Sequence, residues 1–349
     1  MKLSMQIGYS GGFAESVAQV QALEKVGMDL VYVAEAYGYD AVTMMGYLAA
    51  KTDTIEIASG ILPIYTRTPT LLAMTAAGLD EISQGRAVLG LGASGPQVIE
   101  GFHGVAYDAP IGRTREIIDI CRSVWRRDKP VVHDGRYYQL PLPPEKGTGL
   151  GKPLKIITHP PRPSIPIHVA SLGPKNVQMT AELADGWLPI LFHPEKAKDV
   201  WGADVDAGVA KRSADLGPLD VIAGGLLAIG PEDHVKGLRD LNRAMIALYV
   251  GGMGARGKNF YNTLFTRYGY EAEAKEIQDL YLDGKKAQAA AAIPDSFLME
   301  TSLVGEEGFV REQIEKFKAA GVTTLNVAPV AADLKGQQDL IAKTKELAS

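Results

Sequence analysis

Short apolar runs alternate with longer amphipathic stretches along almost the whole chain. The runs rich in Val, Ile and Leu predict strands near residues 3–9, 30–35, 55–62, 86–92, 165–170, 187–191, 220–229 and 323–327. Apolar residues at helical spacing predict helices near 13–26, 40–51, 69–83 and 111–127, and a last helix near 332–347. This repeat is typical of parallel strands joined by helical crossovers. It predicts an α/β fold, a (β/α)8 TIM barrel, with a doubly wound open sheet as the alternative.

Four segments repeat the same passage from helix to strand: EKVGMDLVYV, EISQGRAVLGLG, AELADGWLPI and FKAAGVTTLNV. In each, a helical stretch reaches a glycine a few residues before the next apolar run. Glycine adopts the left-handed backbone conformation that terminates helices without steric cost. The sequence therefore predicts helix-terminating turns at Gly27, Gly85, Gly186 and Gly321.

Two segments interrupt the alternation. Residues 128–164 contain eight prolines and predict an extended insertion. Residues 231–303 are Ala-rich and helical in pattern, and they interrupt the seventh strand–helix unit. Because neither segment has an alternating core pattern of its own, the sequence predicts one domain over residues 1–349 with both segments as insertions.

The charge and hydropathy of the chain exclude several classes of protein. The net charge is −5, and no Lys/Arg run is longer than two residues, so nucleic acid is not an expected partner. The longest apolar stretches, such as 221–229, are far shorter than the roughly 20 residues of a membrane span. The N-terminus lacks the pattern of a signal peptide, so we expect a cytoplasmic protein that does not bind membranes. The single cysteine, Cys121, has helical core spacing.

In a (β/α)8 barrel the active site lies where the strands end. The candidate segments are 9–12, 35–39, 60–63, 92–96, 171–175 and 191–193, which are rich in Gly, Ser and Tyr. The six histidines show no HExxH spacing, so no metal site is expected, and no GxSxG motif predicts a nucleophilic serine. The composition of the strand ends favours a pocket that binds a large cofactor and leaves the chemistry to it.

Two glycine-rich segments follow predicted strands. Residues 90–95 match GxGxxG, but Pro96 follows, no helix is expected there, and the acidic residue of a dinucleotide site is missing. This segment predicts a tight turn or a ligand-facing loop. In 170–176, Pro174 suits the first position of a helix, and Lys175 in that first turn is unfavourable unless an anion lies nearby. That segment predicts a phosphate site, with an exposed, functionless lysine as the alternative.

Four motifs carry a family resemblance: VGMDLVYVAEAYGYDA, IASGILPIYTRTPTLLA, GRAVLGLGASGP and IPIHVASLGPKNVQMTAELADGW. Together they resemble the luciferase-like monooxygenase superfamily, and within it the deazaflavin-dependent branch that includes methylenetetrahydromethanopterin reductases. The resemblance implies coenzyme F420 as the cofactor, with FMN as the alternative, and a homodimer. Sugar-phosphate dehydrogenases of this branch carry an acidic residue where this chain has Gly95 and Pro96, so their substrate is not expected.

The resemblance also implies site residues. It implies a non-proline cis peptide at Gly60–Ile61, whose bulge backs the cofactor ring, and a phosphate held by the ASLGPK and GLGASG loops. Glu35 is the predicted catalytic residue, for cofactor contact or proton handling; the alternative is a carboxylate paired with Lys or Arg. The predicted cofactor-binding residues are Tyr9, Ala36, Gly60, Ile61, Leu62, Gly92, Ala93, Ser94, Gly95, Ser171, Leu172, Gly173, Pro174 and Lys175.

These expectations combine into one hypothesis: hydride transfer between the cofactor and a small organic substrate at the barrel mouth. Aromatic walls, such as Tyr9, Tyr37, Tyr39 and Tyr65, and segment 128–164 as a lid are expected to exclude water. The first alternative is an FMN-dependent monooxygenase. The second is a non-redox lyase or hydrolase that uses the phosphate loop to hold a phosphorylated substrate.

Overall fold

The computed structural model describes residues 1–8 and 12–349. Its strands are β1 (Lys2–Ile7), β2 (Leu30–Val33), β3 (Glu56–Ser59), β4 (Leu62–Pro63), β5 (Ala87–Gly92), β6 (His133–Asp134), β7 (Gln139–Leu140), β8 (Ile167–Val169), β9 (Gly186–Trp187), β10 (Asp220–Ala223), β11 (Leu226–Ile229), β12 (Leu303–Gly305), β13 (Thr324–Asn326) and β14 (Ala328–Pro329).

The α-helices are α1 (Phe13–Glu24), α2 (Ala41–Lys51), α3 (Pro69–Ser83), α4 (Pro96–Ile99), α5 (Pro110–Arg126), α6 (Pro174–Leu183), α7 (Ala197–Val209), α8 (Glu232–Val235), α9 (Arg243–Ala247), α10 (Phe260–Arg267), α11 (Glu271–Leu282), α12 (Lys286–Ala291), α13 (Asp295–Glu300), α14 (Glu307–Ala319) and α15 (Leu334–Leu347). A π-helical turn, Leu248–Gly252, follows α9.

Eight parallel strands close into a barrel in the order β1, β2, β3, β5, β8, β9, β10 and β13, and β13 pairs with β1 again. In the register, Ser4 of β1 lies opposite Leu30 on one side and Asn326 on the other. This closure confirms the predicted TIM barrel and excludes the open sheet. Each of the eight predicted strand regions overlaps a barrel strand, although β9 overlaps its region, 187–191, only at Trp187.

Side chains alternate between the two faces of the barrel wall. A small buried cluster inside the barrel consists of Leu30, Tyr32, Ala58, Val88 and Ile222. The neighbouring residues along the strands, such as Val31 and Ile57, belong to the larger core between the strands and the helices. On the helical side, Trp125 of α5 donates its indole N–H to the Ala73 carbonyl of α3 at 2.9 Å. The barrel therefore has two buried layers, and the inner one forms the base of the functional site.

The turns from helix to strand confirm three of the four glycine predictions. Gly27, Gly85 and Gly321 adopt φ values of +93°, +88° and +90°. The fourth prediction is wrong, because α6 ends at Leu183 and Gly186 lies within β9. A Cβ at Gly186 would lie 2.5 Å from the His168 ring. Glycine is required there for interior packing.

The seventh predicted strand, 220–229, is wrong as a continuous element. It breaks at Gly224 and Gly225, where an added Cβ would lie 2.1 Å from the Asn326 carbonyl oxygen and 2.3 Å from that of Thr301, respectively. Beyond the break, β11 leaves the barrel and pairs in parallel with β12 and β14 in a second, three-stranded sheet. Strand β12 begins at Leu303, the last residue of segment 231–303, for which the sequence predicts helices.

Segment 128–164 is extended, as predicted, and contains the antiparallel hairpin β6–β7. Glu116 of α5 accepts hydrogen bonds from the backbone N–H groups of Arg136, Tyr137 and Tyr138 at 2.9–3.2 Å. Near its end, Arg162 forms an ion pair with the fully buried Asp80 of α3. The segment is therefore fastened to the outer helices at two points.

Residues 232–300 fold mainly into the short helices α8 to α13 and the π-helical turn. This confirms the helical pattern of the second predicted insertion. The segment leaves the second sheet after β11 and returns to it at β12. Within the described part of the chain, no helix is long and apolar enough to cross a membrane.

Candidate active site

A cavity of about 680 Å³ opens where the barrel strands end. Residues from the predicted Gly-rich segments line it, together with side chains from the barrel interior and from the helical segment after β11. Ten predicted cofactor-binding residues are among its walls: Gly60, Ile61, Gly92, Ala93, Ser94, Ser171, Leu172, Gly173, Pro174 and Lys175. Segments more than a hundred residues apart in sequence therefore meet here, as the barrel topology requires.

The remaining predicted residues lie elsewhere. Leu62 is fully buried in the core between strands and helices, and Gly95 lines a second cavity of about 480 Å³ beside the first. Ala36 follows β2 and is not among the residues of either wall. Tyr9 lies outside the described residues.

The bulge between β3 and β4 forms one wall of the cavity. The Gly60–Ile61 peptide is cis, as the family resemblance implies. A Cβ at Gly60 would lie 3.0 Å from Tyr32 Cβ, and one at Gly92 would lie 2.8 Å from Ile61 Cγ1. Glycines therefore create the space in which this bulge packs against its neighbours.

The neighbouring strands hold this wall in place. Ser59 Oγ donates to the Gly90 carbonyl and accepts from the Gly90 N–H, both at 2.8 Å. A Cβ at Gly90 would lie 1.7 Å from the Ser59 carbonyl oxygen. Only glycine permits this close approach of β3 and β5, which fixes the base of the bulge.

The loop before α6 has the geometry of an anion site. Helix α6 begins at Pro174, as predicted, and Gly173 at its N-cap offers no side chain to bond the free N–H groups of the first turn. The carbonyls of Ser171 and Leu172 accept indole N–H groups from Trp187 and Trp201, both at 2.9 Å. Because these tryptophans are buried away from the cavity, the two carbonyls point away from the proposed anion.

Two side chains of the first turn of α6 complete this loop. Lys175 is exposed, lines the cavity and forms no ion pair with the described residues. The Asn176 Oδ1 atom is buried, and no hydrogen-bond partner for it is present in the described part of the chain. Because an Asn amide can be turned over, this side chain can also present its N–H groups to an anion.

The GLGASG loop differs from the prediction at its end. Helix α4 opens at Pro96, where no helix was predicted, and Gly95 is its N-cap. Pro at the first helical position is favourable, and the helix is too short to give a pattern of apolar residues. Ser94 has φ +58° and lines both cavities, so the loop faces ligand space instead of forming only a tight turn.

Glu35 lies at the end of β2 but not among the walls of the cavity. Its carboxylate forms a two-pronged ion pair with Arg67, at 2.5 and 2.9 Å, and accepts the Ala41 N–H at 2.9 Å. This is the paired arrangement that the sequence left open as the alternative. A role for Glu35 in proton handling stays a prediction.

Aromatic residues line the cavity, but none of those in the described part of the chain is one of the predicted four. Tyr37 and Tyr39 are exposed on the surface, and Tyr65 packs on Tyr107 behind the wall. The aromatic residues of the wall are Tyr32, Tyr107, Tyr249, Phe260 and Tyr261. Three of them come from the helical segment after β11, and no residue of 128–164 lines the cavity. The expectation that 128–164 covers this cavity is therefore wrong.

A tyrosine–histidine pair lies at the bottom of the cavity. Tyr32 and His168 are buried in the barrel interior, with Tyr32 Oη 2.8 Å from His168 Nδ1. Burial raises the pKa of Tyr32 well above its usual range and lowers the pKa of His168. Both groups are therefore neutral near pH 7, and the tautomer of His168 determines which of the two atoms donates the hydrogen bond. Residues 1–8 and 12–349 contain no cluster of three or more His, Cys, Asp or Glu side chains that could hold a metal ion.

Comparison with known proteins identifies the class to which this fold and site belong. The sequence model of the luciferase-like monooxygenase family matches residues 1–324. The chain therefore belongs to the luciferase-like monooxygenase family and is an enzyme of the oxidoreductase type.

Two relatives and one solved structure show in more detail what this chain is similar to. The chain is 41% identical to a Mycobacterium tuberculosis protein provisionally named a coenzyme F420-dependent oxidoreductase, with 95% of this chain and 96% of that protein covered. It is 29% identical to 5,10-methylenetetrahydromethanopterin reductase of Archaeoglobus fulgidus over 98% of both chains. The structure is similar to the coenzyme F420-dependent tetrahydromethanopterin reductase of Methanopyrus kandleri, with a TM-score of 0.77, 21% identity and 98% and 97% coverage.

Proposed function

We propose that this enzyme transfers a hydride between coenzyme F420 and a small organic substrate. The observation that carries the proposal is that a glycine-lined bulge and the α6 loop line one cavity. The Mycobacterium tuberculosis relative and the Methanopyrus kandleri structure, to which this chain is similar, both have coenzyme F420 in their names. An F420-dependent secondary alcohol dehydrogenase in complex with an F420–acetone adduct shares the fold, with a TM-score of 0.71 and 18% identity.

The residues present fit such a cofactor. A cavity of about 680 Å³ is large enough for a ring system with a phosphorylated side chain. The bulge at Gly60 and Ile61 would support the ring, and Lys175 with the first-turn N–H groups of α6 would bind the phosphate. A bound deazaflavin supplies a two-electron hydride carrier that reacts poorly with oxygen, because carbon replaces the flavin N5.

The protein itself would contribute by positioning the cofactor and the substrate and by excluding water from the cavity. Buried Tyr32 packs against the bulge, where a Cβ at residue 60 would lie 3.0 Å from the Tyr32 Cβ. The helical segment after β11 contributes further aromatic residues to the wall of the same cavity. A substrate held between the two would have its reacting atom next to the cofactor ring.

FMN-dependent oxygenation is the second candidate. The oxygenating constituent of 3,6-diketocamphane monooxygenase from Pseudomonas putida, in complex with FMN, has a TM-score of 0.67 and 20% identity to this chain. Titration of the purified enzyme with F420 and with FMN, followed by fluorescence, decides between the two. We expect tight binding of F420 and weak binding of FMN. Tight FMN binding with oxygen-dependent turnover would overturn the F420 proposal. The non-redox lyase or hydrolase has less support, because the relatives reported above are named as an oxidoreductase and a reductase.

Glu35 is proposed as the catalytic residue, and its ion pair with Arg67 provides the test. If Glu35 handles protons, Glu35→Gln should reduce turnover and change its pH profile, whereas Arg67→Met should chiefly lower stability. Steady-state rates over pH and denaturant unfolding of both variants measure these effects. Equal losses of stability with unchanged pH profiles would reduce Glu35 to a structural partner of Arg67.

We also propose a homodimer that forms through the outer face of α3. Leu71, Met74 and Ile82 are 46–55% exposed along this helix, and Tyr47 of the adjacent α2 is 41% exposed. Apolar residues that share a helix face are typical of protein interfaces. Sedimentation of the wild type should give a dimer, and Met74→Glu should give a monomer. A monomeric wild type would refute this assignment.

A further inference from the structure

Two segments that the barrel does not require contribute an aromatic wall to the cavity. Tyr249 belongs to the π-helical turn, and Phe260 and Tyr261 open α10. The Tyr249 and Tyr261 rings pack edge to face, with centroids 4.7 Å apart. Phe260 is 57% exposed although it is apolar, and it lines both cavities. An exposed phenylalanine in a concave wall gains contact area when a ligand covers it.

One buried side chain fixes these two segments to each other. Asn259 is 2% exposed, and its Nδ2 donates to the carbonyls of Tyr249 and Val250 at 2.9 and 3.0 Å. Its Oδ1 accepts the N–H groups of Tyr261 and Asn262 at 2.9 and 3.1 Å. All the bonding capacity of the amide nitrogen and both lone pairs of the oxygen are thus used. Asn259 therefore holds the backbones of the two segments together without a ligand, and such preorganisation favours selective binding.

The charge of the cavity restricts what can lie against this wall. Among the described residues of the cavity, Lys175 is the single side chain with a formal charge, and it lies in the anion loop of α6. The other polar side chains include the amides of Gln6, Asn176 and Asn326, which are neutral donors and acceptors. A charged substrate would lose its hydration without gaining a counter-charge, which is costly.

We propose that the substrate is an uncharged, planar carbonyl compound, and that Tyr249, Phe260 and Tyr261 select it. The inference rests on the proposed function, because it assigns Lys175 to the cofactor phosphate. The flat rings provide the apolar contact, and the neutral amides can hydrogen-bond the carbonyl oxygen. Phe260 lines both cavities, so a substrate that reached from one into the other would contact its side chain.

The first experiment compares two probes on the enzyme saturated with F420. Benzalacetone is an uncharged conjugated ketone, and cinnamate has nearly the same skeleton with a carboxylate in place of the acetyl group. Calorimetry should show benzalacetone binding at least roughly tenfold more tightly, because the charge of cinnamate is not matched. Equal binding of the two probes, or binding of neither, would overturn the inference. Failure of F420 itself to bind would instead refute the proposed function.

The second experiment tests the wall directly. Phe260→Ala should weaken benzalacetone binding at least roughly fivefold, because the aromatic contact is lost. The affinity for F420 should stay the same, and Tyr261→Phe, which keeps the ring, should keep the affinity for the probe. Leu282→Ala, at an exposed position of the same helical segment, is the matched control. Unchanged binding of benzalacetone in Phe260→Ala would show that the wall does not select the substrate.

Discussion

The anion loop of α6 makes the sharpest prediction about cofactor binding. Lys175 lies in the first turn of the helix beside N–H groups without intrahelical partners, and no described residue neutralises it. A charge-assisted hydrogen bond contributes about 1.5–3 kcal/mol, and the exposure of Lys175 favours the lower end of that range. Lys175→Ala should therefore cost about 1–2 kcal/mol in F420 binding, or roughly 5- to 30-fold in Kd.

Charge reversal enlarges this effect. Lys175→Glu adds repulsion between two negative charges, about 1 kcal/mol at roughly 4 Å in water and more where the site is partly dry. We expect Kd for F420 to rise at least roughly thirtyfold. Fluorescence titration measures both variants, and added salt should weaken the wild type more than Lys175→Ala.

The control for Lys175 is a lysine with the same change of charge far from the loop. Lys152 is exposed in segment 128–164 and does not line the cavity. Lys152→Glu should leave Kd unchanged. If Lys175→Glu and Lys152→Glu had the same Kd, the α6 loop would not be the phosphate site.

Three further predictions concern the barrel. Arg162→Met leaves the fully buried Asp80 carboxylate without its ion-pair partner. The free energy of unfolding in denaturant should therefore fall by about 3–5 kcal/mol, and adding Asp80→Asn should recover part of this loss. An unchanged free energy of unfolding in Arg162→Met would contradict the argument. Burial lowers the pKa of His168, so the unfolded chain takes up a proton there first as the pH falls through roughly 6.5. The contribution of His168 to stability should therefore be constant above that pH and decline below it by up to about 1.4 kcal/mol per pH unit, and His168→Asn should reduce the slope of stability against pH. Gly90→Ala places a Cβ 1.7 Å from the Ser59 carbonyl oxygen and should prevent folding. The control is Gly46→Ala, at an open position of α2, which should be soluble and show an unchanged or higher melting temperature.

The barrel was predictable because its signals are local. Each strand and each outer helix carries its own periodicity, and Pro174 marks the start of α6 within a few residues of sequence. The same holds for Gly27 and Gly321, whose positive φ follows from helix termination. The cis bond at Gly60–Ile61 was implied by the family resemblance, which rests on short contiguous motifs. Phosphate binding by the α6 loop stays a prediction.

The aromatic wall was not predictable, because it depends on packing between distant segments. Nothing in the sequence near Tyr249 or Phe260 indicates that these residues line the same cavity as Gly92. The signal that could have pointed to them is Asn259, a capping residue directly before an aromatic pair, but it only predicts a helix start. The break at Gly224 was missed for a similar reason, since the clash that requires glycine involves a residue from another strand.

The second sheet has a consequence for how the enzyme can diversify. Strand β11 leaves the barrel and β12 brings the chain back, so the helical segment between them is attached to a small sheet outside the ring of barrel strands. The segment is nevertheless joined to the α6 loop through α7, because the Tyr268 ring packs edge to face on Trp201, whose indole N–H donates to the Leu172 carbonyl. A foreign segment grafted between these two strands would therefore have to keep Tyr268 if the α6 loop is to keep its position.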